Sequence, residues 1–155
     1  MAEIRTAVTD APLDLAREFA SIAGGRGDAG AIVTFTGLCR DEDGRLDALE
    51  LEHYPAMAEA EIARIASLAA ERWDVIALTV LHRHGRVLPG EPIVLVIAVS
   101  TRRHAAFEAA EFIMDFLKTH APFWKKEHAR DGSATGWVAA RASDDEAAAR
   151  WAEPK

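Results

Sequence analysis

The chain has 155 residues, half of them hydrophobic, with 18 basic side chains against 25 acidic ones and a formal charge of −7. A chain of about 150 residues can bury roughly two-thirds of its extended surface, so one core suffices, and the acidic balance argues against a general nucleic-acid binder, which needs a basic face to neutralise phosphates. No apolar run approaches the roughly 20 residues that span a bilayer, the N-terminus has neither a basic start nor an apolar leader core, and the single Cys39 can make no internal disulfide. The expectation is a cytoplasmic protein with one domain over residues 1–155 and no membrane or nucleic-acid partner.

Ile4 to Val8 reads as a short strand. Asp10 can then cap a helix that has Pro12 in its first turn and Leu15, Phe19 and Ile22 on one face, ending at Gly24-Gly25. The loop that follows carries Arg26-Gly27-Asp28, an adhesion motif only in extracellular proteins. Ala31 to Thr36 is a buried strand, Arg40 to Arg45 a charged loop turning at Gly44, and Leu49 to His53 a strand with alternating Leu and Glu, one face toward water. A helix runs from about Ala56 to Arg72 with Ile62, Ile65 and Leu68 at helical spacing. Val75 to His82 and Ile93 to Ser100 are two strands that pair across a turn-rich connection holding Gly85 and Pro89-Gly90. A second long helix covers about Ala105 to Thr119 and stops before Pro122. Trp137 to Arg141 reads as a last short strand, and the acidic, Ala-rich tail, about 142–155, as helical. Strands and helices without regular alternation give an α+β fold, a mixed or antiparallel sheet with packed helices.

The chemistry concentrates at the end of the second long helix. At 100° per residue, Phe107, Met114 and Lys118 fall within about 40° of one another, so Lys118 leaves a largely apolar stripe. Desolvation there would favour the neutral amine that acid/base or nucleophilic work requires. Composition alone favours the plainer account, in which a lysine at a helix C-terminus reaches water and complements the dipole. Arg102-Arg103 stands where a strand ends and the helix begins, beside free backbone N–H groups, a place suited to an anion; an exposed basic pair is the plainer account. Arg40 follows a buried strand. Together Arg40, Arg102, Arg103, Lys118, Lys125 and Lys126 suggest that basic groups on an acidic protein converge on an anionic substrate.

Five separated segments give this cluster a more specific meaning: Thr34-Phe35-Thr36-Gly37 with Arg40, Leu51-Glu52-His53-Tyr54-Pro55, His82-Arg83 with Gly85, Arg103 to Ala109, and Phe123-Trp124-Lys125. In order and spacing they resemble the large subunit of the molybdopterin synthase family, over about four-fifths of the chain. The resemblance implies a single domain of the α/β-hammerhead type, a homodimer within a heterotetramer, and a small ubiquitin-like subunit at each end. It implies sulfur transfer from a thiocarboxylate on the small subunit's C-terminal Gly-Gly tail to cyclic pyranopterin monophosphate, forming the dithiolene of molybdopterin, with no cofactor and no metal. By the same resemblance, Lys118 and Lys125 flank the thiocarboxylate as catalytic residues. Leu38, Cys39, Arg40, Arg102, Arg103, Lys126 and Glu127 correspond to substrate-binding positions, with Arg141 a candidate for the pocket border. The family usually has histidine where this chain has Arg102, and guanidinium, protonated at any working pH, can clamp an anion but cannot transfer a proton.

Three other readings compete. Cys39 and Arg45 have the Cys-x5-Arg spacing of cysteine-dependent phosphatases, although Asp41, Glu42 and Asp43 would repel phosphate and raise the thiol pKa. His82 and His84 could share a strand face and bind a metal, with no carboxylate or thiol nearby to complete the set. The basic cluster could also dock an acidic partner tail without catalysis.

Overall fold

Residues 1–120, 123–137 and 142–152 are described by the computed structural model. Along the chain run β1 (Glu3–Thr9), α1 (Leu15–Ala23), β2 (Ala31–Leu38), β3 (Leu46–His53), α2 (Pro55–Arg72), β4 (Val75–Arg83), β5 (Gly85–Val87), β6 (Pro92–Ser100), α3 (Arg103–Thr119), β7 (Phe123–Ala129) and α4 (Ala142–Ala149). The strands form a four-stranded sheet of order β1-β4-β6-β2 and a three-stranded sheet of order β5-β3-β7. β1 runs parallel to β4 and the other pairs are antiparallel. This is the α+β class expected from the element pattern.

The inner strands β4 and β6 are apolar on both sides of the pleat, which requires cover on both faces. On one face Leu78, Val80, Val94, Val96 and Ala98 meet Ile62, Ile65 and Ala69 of α2 and Ala109, Phe112 and Ile113 of α3. On the other, Ala77, Leu81, Leu95, Ile97 and Val99 pack with Leu13, Leu15 and Ile22. Each fully buried Ile or Leu there contributes roughly 1.5–3 kcal/mol of transfer free energy. A smaller cluster of Cys39, Leu49, Leu51 and Val87 backs the second sheet.

Three expectations need correction. The first helix is capped by Asp14, whose carboxylate accepts the Arg17 N–H at 3.1 Å, and not by Asp10. Asp10 stands upstream of Pro12, before the helix begins at Leu15, and its backbone carbonyl accepts from the buried Arg83 guanidinium at 3.3 Å. The exit of α3, to which the sequence reading assigned no element, contains strand β7, held in register on β3 by pairs such as Leu51 with Lys125 and Glu50 with Lys126. The turn-rich connection contains the short β5, which pairs with β3. Of the strand expected over Trp137 to Arg141, Trp137 lies outside any strand and residues 138–141 fall outside the described residues. The tail carries α4, as expected.

Candidate active site

The two sheets and the C-terminal end of α3 enclose a cleft of about 900 Å³, within the usual range of small-molecule sites. β2 delivers the first wall. Its register against β6 slips between Gly37 and Leu38, and a Cβ on Gly37 would stand 2.6 Å from the Val94 side chain. The close approach and the slip bring Leu38, Cys39 and Arg40 to the rim. The last turn of α3 supplies Met114, Leu117 and Lys118, and the second sheet supplies Leu49, Leu51, Phe123, Lys125 and Glu127. Of β7, Phe123, Trp124, Lys125 and Glu127 line the cleft while Lys126 does not, lying instead over the Trp137 ring at 4.7 Å.

Six of the nine residues assigned from the sequence therefore share one cavity: Leu38, Cys39, Arg40, Lys118, Lys125 and Glu127. Arg102 and Arg103 do not reach it within one chain. They stand exposed at the start of α3, about 24 Å along the helix axis from Lys118 at 1.5 Å per residue. Arg141 lies outside the described residues. Among the described residues no carboxylate pairs with Lys118 or Lys125, which leaves two ammonium groups in the cleft available for an anion. Arg45, weighed in the sequence only for its spacing from Cys39, is a further basic residue of the wall.

The apolar stripe does not bury Lys118 in the way its spacing suggested. Lys118 is exposed, and Phe107 in the same stripe is 60% exposed. The buried face of α3 is instead Ala106, Ala109, Ala110, Phe112, Ile113 and Leu117. Lys118 sits at the edge of that face, where the cleft opens and the negative end of the helix dipole favours its charge.

The structure also brings together an aromatic group whose members the sequence reading named only in separate motifs and, for His82 and His84, as a weighed metal pair. His82 lines the cleft with its ring stacked on Phe123 at 3.9 Å between centroids, and its Nδ1 lies 2.7 Å from the Arg83 carbonyl. His53 stacks against the same Phe123 at 5.9 Å and against His84 at 4.3 Å. Burial lowers the pKa of His82 from its ordinary value to about 4; the Arg83 carbonyl works against that shift, and the nearby His53, Lys118 and His84 add to it. By surface area the side chain is only half-buried, since it lines the cleft. His53 is lowered too, first by burial and then by His84. The signal in the sequence was the His82-Arg83-x-Gly85 segment. Arg83 is 5% exposed and ties the Asp10 and Arg86 carbonyls and Glu91 together, while Gly85 turns the chain at φ +82°, a region that favours glycine.

The phosphatase reading fails on the thiol. Cys39 is 3% exposed with its Sγ 3.9 Å from the Val87 carbonyl. Burial, and after it Glu91 and Asp41, push its pKa up, away from the thiolate a nucleophile needs. A metal site at the histidines has no support either, since among the described residues no three His, Cys, Asp or Glu side chains come together as a metal requires.

Comparison with known proteins supplies the family. The family model described as MoaE protein matches residues 8–120. A molybdopterin synthase catalytic subunit from Mesorhizobium japonicum is 64% identical over 138 residues, covering 89% of this chain and 87% of that protein. The chain belongs to the MoaE family. The solved structure of the molybdopterin biosynthesis MoaE protein from Burkholderia ambifaria MC40-6 superposes with a TM-score of 0.81 at 44% identity, covering 99% of each chain. A chain of the Helicobacter pylori complex of subunits 1 and 2 of molybdopterin-converting factor shares the fold at 23% identity, with a TM-score of 0.68 and 90% coverage of each chain. With MoaE membership goes an activity, sulfur transfer in molybdopterin biosynthesis, and neither the phosphatase nor the binding-module reading finds support in these relatives.

Proposed function

We propose that the cleft receives the C-terminal thiocarboxylate of a small ubiquitin-like subunit together with cyclic pyranopterin monophosphate, and that Lys118 and Lys125 are the catalytic pair moving sulfur from the first to the second. The observation that carries this reading is the pair of ammonium groups, unmatched by any carboxylate among the described residues, that α3 and β7 bring into one cleft. A thiocarboxylate is an anion, and the opening of a cyclic phosphate develops further negative charge on oxygen. Cations held in a partly enclosed site stabilise such charge. Arg40 and Arg45 at the rim suit the phosphate, for which the guanidinium fork is well shaped. Leu38, Cys39 and Glu127 complete the proposed substrate contacts on the same walls.

The partner is part of the proposal. The Helicobacter pylori structure with this fold is a complex of two subunits, and the openness of the cleft to solvent leaves an entry for a threaded tail. Arg102 and Arg103, remote from Lys118 within the chain, join a substrate site only if a second copy presents its α3 start to this cleft. The proposed homodimer provides for that, and the proposed heterotetramer adds a small subunit to each copy.

The test separates an enzyme from a docking module. Lys118→Gln removes the charge and keeps most of the side-chain length. In a reconstituted assay with thiocarboxylated small subunit, molybdopterin formation is expected to fall at least 100-fold, about 2.7 kcal/mol of barrier, while binding of the small subunit changes less than threefold. Parent-like turnover in Lys118→Gln would leave only docking for this residue.

A further inference from the structure

His82 is the one imidazole that lines the cleft among the described residues, and its ionisation, tautomer and orientation are each fixed by a neighbour. A carbonyl oxygen only accepts, so the 2.7 Å contact between Nδ1 and the Arg83 carbonyl makes Nδ1 the N–H donor. The ring, neutral because burial disfavours the imidazolium, then carries a bare lone pair on Nε2. Among the described residues, Nε2 has no hydrogen-bond partner. Stacking on Phe123, itself flanked by His53, keeps the ring plane from turning. The cleft wall thus holds an immobile, neutral acceptor among cations, and the groups able to approach it are few. From β4 and its sequel come Arg83, committed to Glu91 and to carbonyls, and His84, stacked on His53. From β3 and the helix after it come His53, Glu52 and Glu59, the carboxylates acting on His53. From α3 comes Lys118, whose charge is felt by His82.

We propose that His82 is a positioning residue of the sulfur-transfer reaction: its unprotonated Nε2 accepts a hydrogen bond from the Lys118 ammonium when the cleft is filled, and so fixes where that charge stands. The inference rests on Lys118 being the reactive cation, as proposed above. Left to itself, Lys118 is an exposed four-carbon chain with wide rotamer freedom. A carboxylate in the place of His82 would hold it as well but would cancel the positive charge that the thiocarboxylate needs. A neutral imidazole orients the ammonium and leaves the charge in place. The acceptor is also well matched to water exclusion, since Phe123 covers one face of the ring while the small subunit's tail would close the cleft over the other.

Two readouts test the proposal, one independent of turnover. In protein labelled with ¹⁵N-histidine at pH 7, bound to the small subunit in its unactivated carboxylate form, the His82 Nε2 signal is expected in the unprotonated range and is expected to move when Lys118 is replaced by Ala. A protonated Nε2, or a signal indifferent to Lys118→Ala, overturns the proposal without touching the role of Lys118 in catalysis. For turnover, His82→Phe keeps the stack and loses the acceptor, while His82→Gln returns an acceptor near the Nε2 position. We expect His82→Phe to lower kcat at least tenfold with KM within threefold of the parent, and His82→Gln to recover to within threefold. Equal kcat in folded His82→Phe and parent, or no recovery in His82→Gln, contradicts it. Loss of activity in Lys118→Ala together with an unaffected His82→Phe would uphold the lysine and reject the histidine.

Discussion

At single positions, what a side chain can do here follows from whether it faces the cleft or the core. Cys39 shows the difference. It lines the cleft and is still 3% exposed, with its thiol toward the Val87 carbonyl and its pKa pushed up by burial and by Glu91 and Asp41. Sulfur carriage by Cys39 would need a thiolate that this surrounding disfavours. Cys39→Ser is therefore expected to keep at least a third of parental activity, at a stability cost of about 1–3 kcal/mol for burying a hydroxyl that can still donate to Val87. Mass spectrometry of the parent during turnover is expected to find no persulfide on Cys39; finding one, or losing activity in a folded Cys39→Ser protein, would reassign the sulfur path. Of the site, the lysines, Arg40 and the Leu38-Cys39 rim were legible in the sequence, because short motifs of fixed spacing carry them. His82 was not. Its role depends on Phe123, 41 positions along the chain, and on the tautomer that the Arg83 carbonyl imposes, neither of which a local pattern reveals.

At the scale of elements, periodicity revealed those whose partners are the core and missed those whose partners are other strands. α2, α3, β4 and β6 stand where the apolar spacing put them, within two residues at each end. β7 reads Phe-Trp-Lys-Lys-Glu-His-Ala, with no apolar alternation, and becomes a strand because β3 offers it a backbone ladder and Glu50 faces Lys126 across it. β5 has three residues, too few for any period to show. The start of α1 was misplaced because two aspartates precede it, and only the fold tells that the Asp10 carbonyl is held by Arg83. Urea unfolding can check this assignment. Asp14→Ala is expected to cost about 1 kcal/mol through loss of the cap, whereas Asp10→Ala, which keeps the carbonyl, is expected to stay within about 0.5 kcal/mol of the parent. The reverse order would restore Asp10 as the cap.

For the whole molecule, the cleft exists because two sheets and one helix end meet, and the histidines at that meeting make stability depend on pH. In the fold His53 and His82 are lowered from their ordinary value of 6.5, His82 to about 4. Unfolded, both take up protons as pH falls through about 6.5, and the fold resists that uptake. Their contribution is complete above pH 6.5 and declines as pH falls toward 4. For His82, half-buried by area, it amounts to about 1–2 kcal/mol after discounting for solvent. Melting temperature is expected to drop between pH 7 and pH 5, above the range where Glu18 and Glu61, both lowered by their arginine partners, begin to titrate. His82→Phe should flatten that drop; an equally steep drop in this variant would place the sensitivity elsewhere.

Transfer of sulfur from a partner's thiocarboxylate to a pterin phosphate, with Lys118 at the reacting centre, is the proposed work of this cleft. It is tested by one turnover in which two small subunits, each carrying ³⁴S in its terminal thiocarboxylate, supply one cyclic pyranopterin monophosphate, read by mass spectrometry of the product dithiolene. The parent is expected to place the label in both dithiolene sulfurs and Lys118→Ala to form at least 100-fold less labelled product, with unchanged circular dichroism. Unlabelled dithiolene from the parent, or labelled product from Lys118→Ala at a rate within threefold of the parent, would remove Lys118 and the thiocarboxylate route from this cleft.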